Sequence, residues 1–299
     1  MMKADVSQPF SMVDGSHAFN IEQDQHEKQS YFKDLGQSFY LIHLKYKWFD
    51  EKHWKLAFCS SSFDCINKYP NIFLLYRTVL FSITIFDFVY GIVSTDPVHE
   101  WIIYYTHLTV LITFLAIVFQ FLITYRANFY RGNDIVPRHS LQYVHIMLII
   151  ISLGSGLAVC LAYWSIIHSS TARAIPHARI ILEHGVLWFL LLIDVLFFTR
   201  LPIYMIDCIP IIIFGIIYGI FTIIIFMLQS RFSNNRIGYI YQALNLNSAP
   251  LRVSIQMFLF IFILPIAIIF ILWNLFRLRR SIHVKITGEV EGSELNSIA

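Results

Sequence analysis

The sequence predicts an all-α fold: a polytopic membrane helix bundle of six transmembrane helices, with both the N- and the C-terminus cytoplasmic. Three observations lead there. The chain is 57% hydrophobic and only 14% charged, whereas a soluble domain carries about 25% charged residues; its mean hydropathy is +0.62. Its apolar residues fall into six blocks, each near the roughly 20 residues a helix needs to cross about 30 Å of hydrocarbon. The basic residues between these blocks alternate in density from one side to the other.

The elements follow in order. Residues 1–69 read as a polar cytoplasmic N-terminal region; the opening MMKADVSQPF lacks the apolar core of a cleavable signal peptide. Its stretch HLKYKWFDEKHWK (43–55) mixes Lys with Trp and Tyr, which suits either an anionic lipid surface or a folded juxtamembrane segment. Residues 70–276 form the membrane domain, with predicted spans at 71–93, 101–123, 143–167, 180–198, 205–228 and 253–276. Each span must be helical, because lipid offers no partner to free backbone N–H and C=O groups. Residues 277–299 are a cytoplasmic tail. On the side that holds the termini lie Lys52, Lys55, Lys68, Arg126, Arg131, Arg138, Arg200, Arg277, Arg279, Arg280 and Lys285. The other side has Arg173, Arg179, Arg231, Arg236 and Arg252. Eleven against five sets the orientation.

Other classes lose ground on the same residues. The net charge of +3 arises from this topological bias and implies no nucleic-acid partner. Of the four cysteines, Cys59 and Cys65 fall on the reducing side and Cys160 and Cys208 within spans. No CxxC or Cys/His spacing suggests a metal, no cofactor is implied, and no P-loop, GxSxG or internal repeat is visible.

The informative residues are the polar ones inside the spans. Each costs at least about 2.5–3.5 kcal/mol near a helix centre, so such groups face the bundle interior. The topology sorts them into two layers. Asp87, Thr106, His107, Glu183 and His184 belong to the outer half, and Arg77, His145, Asp194 and Asp207 to the inner half. Thr106, Thr109, Thr113 and Gln120 fall on one stripe of the second span at 100° per residue. Thr106 and His184 lie at equal depth, about 6–8 Å below the surface at the helical rise. A hydroxyl needs a base to become a nucleophile, and an imidazole away from water is neutral and can be that base. Thr106 and His184 are therefore the catalytic candidates. Glu183 or Asp87 could orient the imidazole, and Thr109, His107 or Tyr105 could steady an oxyanion. The blander assignments run in parallel. Membrane threonines bond their own i−4 carbonyl, His107 suits the wet interface, and Arg77, Asp194 and Asp207 suit helix pairing. LGSG (153–156) and the Gly215/Gly219 pair suit close helix approach. Pro210 and Pro265 are expected to kink the fifth and sixth spans.

WIIYYTHL (101–108), LEHGVLWFLLLID (182–194), RLPIYMIDCIP (200–210) with IIYGIFTIIIF after it, and IGYIYQALN (237–245) resemble the rolling stone family of animal membrane proteins. That family is related to the androgen-induced and androgen-dependent TFPI-regulating proteins. The resemblance covers residues 70–275 as dispersed short matches. It implies an intramembrane Thr nucleophile and a His that hydrolyse fatty acid esters of hydroxy fatty acids, and these fall on Thr106 and His184. The rolling stone branch implies instead a role in myoblast fusion or adhesion without catalysis. Two departures stand out. Rolling stone proteins tend to read TNWG where this chain reads THLT, and HGVNS where it reads HGVLW, so Leu187 and Trp188 replace small polar neighbours of the histidine. The expected partners are membrane lipid and a lipid ester substrate, in the plasma membrane or the endomembrane (ER) system. Two further classes have weaker support: a haem carrier, since His107 and His184 could form one outer pair while His145 lacks a mate, and a transporter built on the layered charges.

Overall fold

In a computed structural model, residue 35 and residues 70–94, 103–129, 139–167, 178–199, 201, 203–232 and 249–287 are described. The segment 43–55, Cys59, Cys65, the IGYIYQALN stretch and all the N-terminal region except Leu35 lie outside the described residues. What is described is almost wholly helical.

Helix α1 is Pro70–Val93, α2 is Tyr105–Phe129, and α3 is His139–Ala162 followed by a π turn, Tyr163–Ile167. Helix α4 is a continuous helical run of four parts. Ala178–Ile181 leads into a π turn, Leu182–Val186, then Leu187–Ile193, then a second π turn, Asp194–Phe198. A single 3-10 turn, Met205–Asp207, opens α5, Cys208–Phe232. Helix α6 runs Pro250–Phe258, a π turn Leu259–Ile263, and Leu264–Thr287, past the span end expected at 276.

Five helices are long and apolar enough to cross a membrane: Asn71–Val93, Tyr105–Arg126, Leu141–Ser165, Met205–Leu228 and Pro250–Ile282. Their outward faces confirm the solvent for which they are built. On α5, Ile213, Ile217, Ile220 and Met227 are each more than half exposed, an apolar face that only lipid can cover. These are the helices of a multi-pass integral membrane protein.

Side-chain contacts fix the directions. Phe81 stacks on Phe121 and Phe88 on Phe114, both at 4.5 Å, so numbering rises on α1 as it falls on α2. Tyr105 donates to Ser155 at 3.1 Å, and Thr113 bonds Ser152, which sets α2 against α3 in the same antiparallel sense. Trp164 meets the His184 carbonyl and Trp188 the Leu153 carbonyl, so α4 runs antiparallel to α3. Phe73 and Tyr76 meet Phe198, and Arg77 meets Asp194, which also sets α4 antiparallel to α1. The start of α1 and the end of α6 therefore both reach the C-terminal end of α4, since Arg279 Nη1 donates to the carbonyls of Leu196 at 3.1 Å and Thr199 at 2.9 Å there.

The glycines make these approaches possible. A Cβ on Gly154 would stand 2.1 Å from Ile211, and one on Gly156 2.5 Å from Trp188. A Cβ on Gly219 would stand 3.0 Å from Ile261 of α6, while Gly215 lies at ordinary contact distance from the same side chain. Both prolines expected to kink their spans are accommodated locally. Pro210 lies in the first turn of α5, where its missing N–H leaves no bond unmade. Just before Pro265, α6 widens into a π turn, with the Leu264 N–H reaching back to Leu259. Asp207 accepts the Tyr204 N–H at 2.9 Å and so caps the start of α5.

Candidate functional site

His184 lies in the first π turn of α4, where the Leu187 N–H bonds the Leu182 carbonyl, five residues back. Such turns are rare and concentrate at functional positions. The ring is held on two sides. Its Nδ1 is 3.0 Å from the Ile180 carbonyl oxygen, and its face lies 4.0 Å from the Tyr163 ring. The Trp164 indole donates to the His184 carbonyl at 3.1 Å. A carbonyl oxygen can only accept, so Nδ1 carries a hydrogen, and in the neutral form of the ring Nε2 is the basic nitrogen.

Thr106 is half-buried at the second position of α2. No hydrogen bond joins it to His184 among the described residues. The helices meet one residue away on each side: His107 Nε2 stands 3.9 Å from Glu183 Oε2. Glu183 thus faces His107. His107, expected at the wet interface, is instead turned inward, with 9% of its surface exposed and its ring against the edge of Tyr104.

The remaining candidates divide. Thr109 is buried and donates to the Tyr105 carbonyl at 2.9 Å, and Thr113 does the same to Thr109 at 2.8 Å. Their hydrogens are therefore engaged within the helix, the usual behaviour of membrane threonines. The stripe itself faces protein, with Thr109, Thr113 and Gln120 all buried. Tyr105 gives its hydroxyl hydrogen to Ser155 and packs its ring against Phe214, Tyr218 and Phe260. Asp87 is wholly buried on α1.

Trp188 does not crowd the histidine from its own turn. Its indole lies over Gly156 and donates to the Leu153 carbonyl at 2.7 Å, so the side chain is spent on α3. Leu187 is likewise buried in the core. Sequence reasoning missed Tyr163 and Trp164, the two side chains that hold His184. Their only signal was an aromatic pair at a span end, which reads as an interfacial belt.

Near the C-terminal end of α4, Arg77 Nε and Asp194 Oδ1 are 2.8 Å apart with both side chains sealed from solvent. The pairing role expected of Asp194 is what the structure shows. His145 is fully buried with its ring stacked on Phe119. No family model matches the chain, and neither a curated protein nor a solved structure is significantly similar to it.

Proposed function

We propose that this chain is a six-span membrane protein, with both termini cytoplasmic, that hydrolyses lipid esters through Thr106 and His184. The topology is supported by the α4 contacts: α4 runs antiparallel to both α1 and α3, and the first and last helices reach its same end. The observation that carries the chemistry is the His107–Glu183 contact. It joins the turn that holds Thr106 to the turn that holds His184, and the Nδ1 bond makes Nε2 the basic nitrogen of the neutral His184 ring.

A lipid ester enters laterally with its acyl chains among the helices. His184 Nε2 takes the Thr106 proton as Oγ attacks the ester carbonyl. The proton passes to the departing alcohol oxygen, leaving an acyl-threonine. Water then attacks the acyl carbon, giving its proton to His184; the bond from that carbon to Thr106 Oγ breaks, His184 returns the proton to Oγ, and the fatty acid leaves. Thr106 and His184 have only to close on each other when substrate is bound, as catalytic hydrogen bonds commonly do. With Thr109 and Tyr105 engaged, His107 is the neighbour best placed to steady the oxyanion. The resemblance to the rolling stone and androgen-induced proteins directs the choice of substrate to fatty acid esters of hydroxy fatty acids. It also directs the choice of location to the plasma membrane or the ER.

The test is fluorophosphonate labelling of membranes carrying wild type, Thr106→Ala and His184→Ala at matched expression. The expected result is labelling of wild type alone. Hydrolysis of a branched hydroxy fatty acid ester that survives Thr106→Ala would sink the mechanism. A wild type that never labels would favour the non-catalytic reading, in cell fusion or adhesion.

A further inference from the structure

Away from the Thr106/His184 turn, at the level where α1 and α4 share an ion pair, four helices bring polar side chains together without exposure. Arg77 of α1, Gln120 of α2, Gln142 and His145 of α3 and Asp194 of α4 each have 1% or less of their surface exposed. The Gln120 amide lies beside the Asp194 carboxylate, and His145 is within electrostatic reach of Arg77.

Arg77 is the group whose hydrogen bonds do not close. A guanidinium carries five N–H donors. Nε lies 2.8 Å from Asp194 Oδ1 and the guanidinium carbon 5.0 Å from the centre of the Phe73 ring, but neither Nη1 nor Nη2 has a hydrogen-bond acceptor among the described residues. The Gln120 carbonyl oxygen has no donor there either. Buried groups of this kind are satisfied in folded proteins, by protein or by a bound molecule. Charge narrows what that molecule is. Asp194 already neutralises Arg77, so an anion would bring uncompensated charge into a medium of low dielectric. A neutral oxygen accepts from the Nη groups at no such penalty. Water suits the arrangement further, because it can also donate to Asp194 Oδ2 and to the Gln120 carbonyl oxygen.

We propose that Arg77, Gln120 and Asp194 form a second polar site that binds a neutral oxygen acceptor, either a water molecule or the ester carbonyl of a lipid. This site stands independently of any hydrolase activity, since it shares no residue with the Thr106/His184 pair.

Solid-state NMR of the full-length chain in phosphatidylcholine bilayers, labelled with nitrogen-15 arginine, tests the assignment. The Arg77 Nη resonances are identified by their loss in Arg77→Lys. Should that variant fail to assemble, Gln120→Leu keeps the ion pair and identifies them by their shift. The expected result is transfer of magnetisation to these nitrogens from water, or from the glycerol protons of the lipid. The first names water as the ligand and the second an ester. Nη groups that exchange magnetisation with protein protons alone would overturn the proposal.

Discussion

Asp194 shows what a carboxylate inside a membrane helix requires. Its partner Arg77 is 2.8 Å away, and both side chains are buried away from bulk solvent. Removing one member leaves the other buried and uncompensated, at about 3–5 kcal/mol. Asp194→Ala and Arg77→Met are each expected to lower resistance to unfolding in mixed detergent micelles by about that amount. The double replacement Arg77→Met/Asp194→Leu should recover most of the loss, because the pair is then exchanged for apolar contact. Trp164→Phe makes a smaller claim. It removes the donor to the His184 carbonyl, should cost about 1 kcal/mol, and should reduce probe labelling while leaving Thr106 and His184 intact. Both residues of the ion pair were legible in the sequence, because assigning each span a direction put them in one layer. The surroundings of His184 were not legible. Tyr163 and Trp164 come from a different helix, and a π turn leaves no mark in composition, since its residues are as apolar as those of an α turn.

The elements repeat this division. Five helices of spanning length, the alternating directions of α1 to α4 and the close approaches at Gly154, Gly156 and Gly219 were readable from length and small-residue spacing. Substitution with Leu at Gly154, where even a Cβ would meet Ile211 at 2.1 Å, should destabilise the bundle by about 1–3 kcal/mol, measured by the same micelle titration. The manner in which the prolines are accommodated was not readable. Pro210 opens a helix and Pro265 follows a widened turn, because a membrane helix re-satisfies the freed carbonyl by changing its period. Helix α4 depends on a neighbour for its own end. Its last carbonyls, including those of Leu196 and Thr199, are held by Arg279. Arg279→Ala should raise amide hydrogen exchange of the segment just beyond Phe198, with little change in α2.

At the scale of the whole molecule, the exposed apolar faces and the buried polar ones form an inside-out arrangement that suits lipid. The six-span reading has a direct consequence for labelling. With the native cysteines removed, Ser94→Cys, just after α1, should react with an impermeant maleimide on intact cells. Ser281→Cys, near the end of α6, should react only after permeabilisation. The two sites reacting from one side would remove the topology on which the depth argument for Thr106 and His184 rests. Legibility at this scale came from basic residues and hydropathy, which describe the chain against its solvent. The joining of His107 to Glu183 describes the chain against itself, and only the packed helices reveal it.

The Arg279 clamp bears on how the protein is made. Arg279 follows Thr199 by 80 residues in the chain, so α4 leaves the ribosome with the carbonyls at its end still open. Arg77, by contrast, has already been synthesised when Asp194 emerges. The fourth helix can settle its charge at once, but its terminus closes only when the last helix arrives, making completion of the bundle a late, post-insertion event.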